Sequence, residues 1–209
     1  MIRTFLFCTC FYFNKSARTF GVMSMNQPHT SRFVLTKMVD GDQEEYYSLS
    51  CNESVMKYVT GYALSREESD AMFEGFLLEN ADESDLGRYF IREKITGNLI
   101  GAAKLDKVGE EIEIGYRIHQ DYWGKGIATE VAEGLIRFAR EKIGARDVIA
   151  FVNIDNAASI RVLEKVGMVN VELIEDIDEM KYKFHYSHRT LSIKTVIDTV
   201  LGLISKREG

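Results

Sequence analysis

The composition of this 209-residue chain is typical of one folded domain with a net negative charge. Hydrophobic residues make up 45% of it and charged residues 28%, which excludes global disorder, and the length suits one buried core better than two. The formal net charge of -6 argues against nucleic acid as the main partner, and no apolar run reaches the roughly 20 residues of a membrane-spanning helix.

The N-terminal segment, residues 1–22, is rich in aromatic residues and carries basic residues but no acidic one. Such a start has some features of a signal peptide, but polar residues interrupt the apolar run and no clear cleavage site follows. It is either an export or anchoring segment or an upstream extension of the reading frame, with Met23 or Met25 as the working start. We favour the second interpretation and expect residues 1–30 to be peripheral, with the domain over residues 31–189.

Cysteine usage predicts a reducing compartment. The chain has three cysteines, and only Cys51 lies in the body of the domain. An odd number without metal-ligand spacing gives neither a disulfide framework nor a zinc site. We therefore expect a cytoplasmic protein without a bound metal.

The first half of the domain mixes strands with short helices. The pattern predicts a strand at Arg32–Met38, helices at Gly41–Asn52, Glu53–Tyr58 and Ser65–Asn80, a hairpin of Arg88–Lys94 with Leu99–Leu105, and a strand at Glu111–Ile118. Ser65 is the expected N-cap of the longest helix, because Glu68 completes a capping box. In the last strand the even-numbered residues from Ile112 to Ile118 share one face.

The second half alternates more regularly. It predicts a helix at Gly126–Lys142 ended by Gly144, a buried strand at Asp147–Val152, a helix at Ala157–Val166 ended by Gly167, and a final strand pair at Val169–Ile174 and Lys181–Tyr186. Residues 190–209 follow with the apolar spacing of an amphipathic helix. This order indicates an α+β domain whose mixed sheet contains at least one crossover.

A glycine-rich turn lies between a strand and a helix, in the run from Tyr122 to Glu130. Glycines let backbone N–H groups approach an anion, and a helix that begins there adds partial positive charge. The phosphate-loop pattern is absent, and the dinucleotide pattern fails at Thr129, where its third glycine would stand. Taken alone, the turn is either an anion cradle or a connection in which glycines permit close packing.

A second motif, Asn156–Met168, follows the next buried strand. The two motifs together resemble the GCN5-related N-acetyltransferase (GNAT) superfamily: the turn is similar to its acetyl-CoA motif (Q/R)-x-x-G-x-(G/A), and the later run to N-x-x-S-x-x-x-x-E-K-x-G-(F/M). The resemblance is closest to the branch of the ribosomal-protein N-terminal acetyltransferases. It implies a single GNAT-like domain with a mixed, mostly antiparallel twisted sheet of roughly six or seven strands, flanked by helices and splayed at the cofactor site.

The resemblance also implies which residues bind acetyl-CoA. The pyrophosphate is expected on the backbone of the turn, and the pantetheine arm beside the preceding strand and the second motif. The residues concerned are Ile118, Trp123, Gly124, Lys125, Gly126, Ile127, Ala128 and Asn156. Trp123 departs from the glutamine or arginine of the family motif, and Asn156 is equally suited to be a helix N-cap.

Acetyl transfer needs a neutral amine, a base that removes its proton, and an acid for the departing thiolate. Glu113 is the first candidate for the base and Glu111 the second, although both could belong to an exposed strand face. Ser159 is the candidate acid, since it matches the serine of some ribosomal-protein acetyltransferases, or it stabilises the first helical turn. Leu163 stands where many relatives have a tyrosine, so a tyrosine acid at that position is not supported.

The acceptor is expected to be a small amine or a protein N-terminus, with acetyl-CoA as co-substrate. The segments Asp40–Asn80 and Glu172–Tyr186 should line its site, and their acidic residues would attract a cationic amine if they face it. The alternative function is a non-catalytic acyl-CoA-binding or sensing domain. Residues 190–209 offer a surface for a homodimer, whereas membrane binding ranks last because few of them are basic.

Overall fold

The computed structural model describes residues 27–82, 84–175 and 179–187. The expected strands and helices are present within these ranges, with small shifts at their ends. The N-terminal extension and the helix expected at residues 190–209 lie outside the described residues.

Seven strands form one sheet. The strands are β1 (Phe33–Lys37), β2 (Gly87–Glu93), β3 (Leu99–Val108), β4 (Glu111–Ile118), β5 (Asp147–Asn153), β6 (Val169–Glu175) and β7 (Met180–Ser187). Their order is β1-β2-β3-β4-β5-β7-β6, and every neighbouring pair is antiparallel except β4 and β5. The predicted mixed, mostly antiparallel α+β sheet is therefore confirmed.

Helices cover both faces of the sheet. In the described part of the chain these are α1 (Gln43–Ser50), α2 (Glu53–Met56), α3 (Arg66–Glu79), α4 (Ile127–Phe138) and α5 (Ala157–Lys165). The predicted capping box at the start of α3 is present, with both the Ser65 and the Glu68 side chain bonded to backbone N–H groups. These bonds satisfy donors that would otherwise be left free in the first turn.

The sheet separates two apolar layers. On one face, Val131 of α4 and Leu163 of α5 pack with Ile114 of β4. On the other face, Tyr46 of α1 lies 5.3 Å from the ring of Phe73 of α3. Burying each such side chain contributes about 1.5–3 kcal/mol, so β4 is fixed with its even-numbered residues towards α4 and α5, as expected.

Helix α4 ends differently from the prediction. Its α-helical part stops at Phe138, and Ala139–Ile143 form a π-turn before Gly144 takes the left-handed conformation with φ 78°. Gly144 ends the segment as expected, because glycine adopts that conformation without a Cβ clash. Apolar spacing over so short a stretch does not distinguish a π-turn from an α-helical turn, so the sequence could not predict this change.

Strands β4 and β5 diverge. They pair only at Ile112 with Val148 and at Glu113 with Ile149. The remainder of β4, from Ile114 to Ile118, has β3 on one side and no strand partner on the other. This opening between the carboxyl ends of two strands confirms the expected splay, and we call it the cleft.

Candidate active site

The glycine turn beyond the cleft exposes its backbone. Gly124 and Gly126 have φ values of 74° and 72°, and α4 begins at Ile127 without a side-chain cap. A Cβ at either glycine would meet no heavy atom within 4 Å, whereas one at Gly134 in α4 would lie 2.7 Å from Thr30. Close packing therefore does not explain the two turn glycines. The two glycines are explained by their left-handed backbone conformation and by the access that they leave to the N–H groups of the first turn of α4.

Trp123 ties this turn to the cleft. Its indole Nε1–H donates to the carbonyl oxygen of Ile118 over 2.7 Å, although 53% of the residue is exposed. The bond gives a structural reason for tryptophan at a position where the family motif has another residue. It also occupies one lone pair of the Ile118 carbonyl, which leaves one for any further donor.

A carboxylate near the start of α4 anchors the turn to β1. Glu130 accepts hydrogen bonds from Ser31, from the Arg32 amide and from Arg32 Nε. Burial opposes ionisation of Glu130, but hydrogen bonds from Thr30, Arg32 and Ser31 outweigh it and lower its pKa to about 2. Arg32 also reaches the Lys125 carbonyl over 3.4 Å, so a guanidinium lies beside the turn. Sequence reasoning missed Arg32, because it lies far from the turn along the chain.

Two hydroxyl groups meet in the cleft. The Tyr116 hydroxyl of β4 lies 2.9 Å from Ser159 Oγ in the first turn of α5. Burial raises the pKa of Tyr116 to about 12, against which the Ser159 hydrogen bond acts weakly, so the phenol stays protonated at neutral pH. Sequence reasoning placed Tyr116 on the core face and did not predict its contact with Ser159. The available signal was that a buried tyrosine hydroxyl needs a partner.

The second motif positions Ser159. The side-chain oxygen of Asn156 accepts from the Ser159 backbone N–H over 3.1 Å, which makes Asn156 the N-cap of α5. Asn156 is thus a helix N-cap, as the sequence also allowed, and its side-chain NH₂ group takes no part in that hydrogen bond. Leu163 is only 2% exposed and lies in the core, so it offers no group to the cleft.

The carboxylates predicted as bases are paired with lysines. Glu113 is 12% exposed and lies 2.5 Å from Lys104 Nζ, while Glu111 lies 2.7 Å from Lys183 Nζ. Lys104 crosses β4 over Gly115, where a Cβ would lie 2.8 Å from the lysine side chain. Neither glutamate is on a simple exposed face. Glu113 also faces the α1–α3 side of the sheet, so the structure does not bring it together with Ser159.

The acidic residues expected around the acceptor are largely committed to other contacts. Asp42 accepts from the Val39 amide, Glu44 and Asp70 pair with Arg66, and Glu45 pairs with Arg92. Glu68 belongs to the capping box. A groove lined with free acids is therefore not formed by these residues, and ordinary structural roles account for them.

One cation stands on the α1–α3 side of the cleft. The guanidinium of Arg117, on β4, lies 5.1 Å from the Tyr46 ring, and its Nη1 lies 3.3 Å from Met56 Sδ. Nearby, the Tyr58 hydroxyl donates to the Asp155 carbonyl over 3.1 Å and joins the chain after α2 to the end of β5. We call the group formed by Arg117, Tyr46 and Met56 the Arg117 site.

Two further observations concern the described residues alone. No three His, Cys, Asp or Glu side chains among them are grouped so as to hold a metal ion. None of the helices in those ranges has the length and apolar character needed to cross a bilayer.

Comparison with known proteins agrees with this geometry. Residues 32–169, more than half of the chain, match the family model described as the acetyltransferase (GNAT) domain. The protein named "Uncharacterized N-acetyltransferase YoaA" of Bacillus subtilis (strain 168) is 29% identical over 145 residues, which are 66% of this chain and 80% of that protein.

Solved structures share the fold. The spermidine N-acetyltransferase from Vibrio cholerae in complex with CoA and spermine superimposes with a TM-score of 0.62 at 18% identity, over 75% of this chain and 96% of that one. The ribosomal L7/L12 alpha-N-protein acetyltransferase in complex with coenzyme A gives 0.65 at 15% identity, over 77% and 96%. At these low sequence identities, the structural similarity establishes the fold and nothing further.

Proposed function

The chain belongs to the acetyltransferase (GNAT) family, and on that premise we propose that it transfers the acetyl group of acetyl-CoA directly to a primary amine. Acetyl transfer to an amine follows from the family itself. The co-substrate, the direct transfer and the residues below are the proposal, and the acceptor is a small amine or a protein N-terminus.

The observation that carries the proposal is the Tyr116–Ser159 hydrogen bond inside the cleft. Binding of a thioester alone has no use for two hydroxyl groups at 2.9 Å. Transfer can use both, because one hydroxyl gives a proton to the departing thiolate and the other replaces that proton. Tyr116 reaches the cleft from β4 and so supplies the phenol that Leu163 cannot.

The glycine turn fits the phosphates of the co-substrate. Gly124 and Gly126 leave the first N–H groups of α4 open, including those of Ile127 and Ala128, and no Cβ blocks an anion there. Lys125 adds positive charge beside the turn, whereas the charge of Arg32 is balanced by Glu130. The pantetheine arm would lie along Ile118, using the lone pair that Trp123 leaves, with Asn156 at the far side of the cleft.

The reaction conserves its protons. The amine lone pair attacks the acetyl carbonyl carbon, the C–S bond breaks, and the sulfur keeps the electron pair. Ser159 gives its proton to that sulfur and takes one from Tyr116, which is reprotonated from water. We keep Glu113 as the base, acting through water, with Lys104 holding its carboxylate in place.

The alternative, a sensor that binds acyl-CoA without transfer, is tested by two measurements on one preparation. Isothermal titration with acetyl-CoA reports binding, and a free-thiol assay over a panel of amines reports transfer. Binding with thiol release supports the enzyme, binding without release on any amine supports the sensor, and no binding contradicts both.

Two further expectations belong here. We propose a cytoplasmic location, because the only cysteine in the described residues, Cys51, is exposed and free. We also propose that residues 190–209 mediate a homodimer and that nucleic acid is not a partner. Light scattering of the full chain and of a chain ending at Ser187 tests the dimer.

A further inference from the structure

Arg117 differs from the other arginines on its side of the sheet in how its charge is balanced. Arg66, Arg88 and Arg92 each form a salt bridge with at least one carboxylate. Among the described residues no carboxylate lies within ion-pair distance of Arg117, whose contacts are the Tyr46 ring and the Met56 sulfur. Arg117 is partly buried, and a partly buried charge without an ionic partner is unfavourable unless another group compensates it.

The hydrogen-bonding capacity of Arg117 is also unfilled. Its Nε is buried and has no hydrogen-bond partner. A thioether sulfur is a weak acceptor, and an aromatic face accepts no directed bond from the fork of N–H groups. The guanidinium is thus held in position by packing while donors that suit a carboxylate stay unused.

Arg117 is the neighbour of Tyr116 along β4, beside the proposed reaction centre. It stands between Tyr116 and Ile118 on the part of β4 that does not pair with β5. Its side chain points to the α1–α3 side, opposite to the Tyr116–Ser159 pair. The Tyr58–Asp155 hydrogen bond joins the chain after α2 to the end of β5, the strand on the other side of the cleft.

The charges beside Arg117 do not favour a polycation. Glu44 and Asp70 pair with Arg66, Glu45 pairs with Arg92, Glu68 caps α3, and Glu113, on the same face of β4 as Arg117, pairs with Lys104. A polyamine would bring further positive charge to an uncompensated guanidinium, which costs affinity. A carboxylate would instead accept two parallel N–H bonds from it.

We propose that Arg117 binds a carboxylate of the acceptor, so that the acceptor is a small amino carboxylic acid. This rests on the proposed function, because it assigns the substrate class of the same site. The amino group faces the thioester in the cleft while the carboxylate lies on Arg117. Spermidine-type polyamines and peptides without a nearby carboxylate are excluded by the same arrangement.

The test compares matched acceptors in steady-state assays of thiol release. The panel holds L-amino acids, their carboxamides, peptides with amidated C-termini, and spermidine. We expect kcat/KM of the wild type for the best amino acid to exceed that for its carboxamide by at least about 10-fold, since a site with unpaired donors discriminates strongly. Carboxamides, amidated peptides or spermidine used as well as the acids would overturn the proposal.

Variants at two arginines separate recognition from folding. Arg117→Met should lower kcat/KM for the acid by on the order of 100-fold and change that for the carboxamide little, and Arg117→Lys should be intermediate because it keeps charge but not the fork. Arg146→Met, at an exposed residue before β5, is the matched control and should leave kcat/KM unchanged for both the acid and the carboxamide. An equal loss on acid and carboxamide would contradict a carboxylate site, and thermal unfolding would identify a folding defect as its cause.

A binding measurement keeps this inference distinct from the proposed function. Titration with the N-acetylated amino acid and with its carboxamide needs no turnover. Tighter binding of the acid, lost in Arg117→Met while acetyl-CoA still binds, supports the carboxylate site even if no amine is acetylated. Equal affinity of the wild type for both ligands contradicts it, whatever the enzyme assay shows.

Discussion

The two faces of β4 differ in the charge of the side chains that they carry. Towards α4 and α5 the strand presents isoleucines and one phenol, Tyr116, with no charged side chain among them. Towards α1–α3 it presents Glu113, which pairs with Lys104, and Arg117, which has no carboxylate partner among the described residues. Under the proposed function, the residues that alternate along this strand therefore have different roles: the hydroxyl of Tyr116 serves the thioester, and the charged side chains of the other face meet the amine.

This division has a physical reason. A phosphate can be held by N–H groups that every residue carries, so the donor side depends on backbone shape. An acceptor must be distinguished from other amines, which only side chains can do. The donor side should then be sensitive to backbone changes, and the acceptor side to changes of charge.

The largest effect should come from the donor side, at the turn. Gly126→Val should weaken acetyl-CoA binding by on the order of 100-fold, because a branched side chain strains the left-handed conformation and blocks the approach of an anion. Isothermal titration with acetyl-CoA measures this loss of affinity. Gly144→Val is the matched control, with φ 78° at the other end of the same helical segment and no heavy atom within 4 Å of its Cβ. Equal loss of affinity in both variants would show that strain, and not the cradle, is responsible.

The hydroxyl pair should give the next largest effect. Tyr116→Phe and Ser159→Ala should each lower kcat by on the order of 10–100-fold with little change in acetyl-CoA affinity, since they remove the proton path to sulfur. The double variant should lose no more than the worse single variant, because the two groups act as one unit. Fully additive losses, measured in single-turnover experiments, would separate the two hydroxyls.

Glu113 tests the charged face. Glu113→Gln should lower turnover by about 10-fold at low pH and less at high pH, because an amine that is already neutral needs no base. Acetyl-CoA affinity should not change. Lys104→Met serves as the comparison, since it removes only the partner that positions the carboxylate. A pH–rate profile identical to that of the wild type would remove Glu113 from the mechanism.

The smallest effect concerns stability at the junction of β1 and α4. The pKa of Glu130 in the folded protein, about 2, lies below the ordinary glutamate value of 4.5. Its carboxylate therefore stabilises the fold above about pH 4.5, and this contribution is lost as pH falls towards 2. Glu130→Gln should cost about 1–3 kcal/mol at neutral pH, and the difference in Tm from the wild type should shrink through that range. A difference independent of pH would contradict an ionic role.

Most of the elements could be predicted from local sequence. The capping box at Ser65, the αL glycine at Gly144 and the alternation along β4 were all correctly located, because each depends on residues within a few positions of one another. The π-turn after Phe138 was not, since it leaves the apolar spacing unchanged. The acids of α1 could not be assigned to particular contacts, because the arginines that pair with Glu44 and Glu45 come from other elements.

The sequence alone determined the family, the fold class and the position of the glycine turn that we propose as the phosphate cradle, because glycine spacing and helix signals act on neighbouring backbone. Only the tertiary structure decided which side chains meet in the cleft. Tyr116 and Ser159 are 43 positions apart, and Arg117 and Met56 are 61 apart. Contacts over such distances follow from how β4 divides the two layers, and no local pattern specifies them.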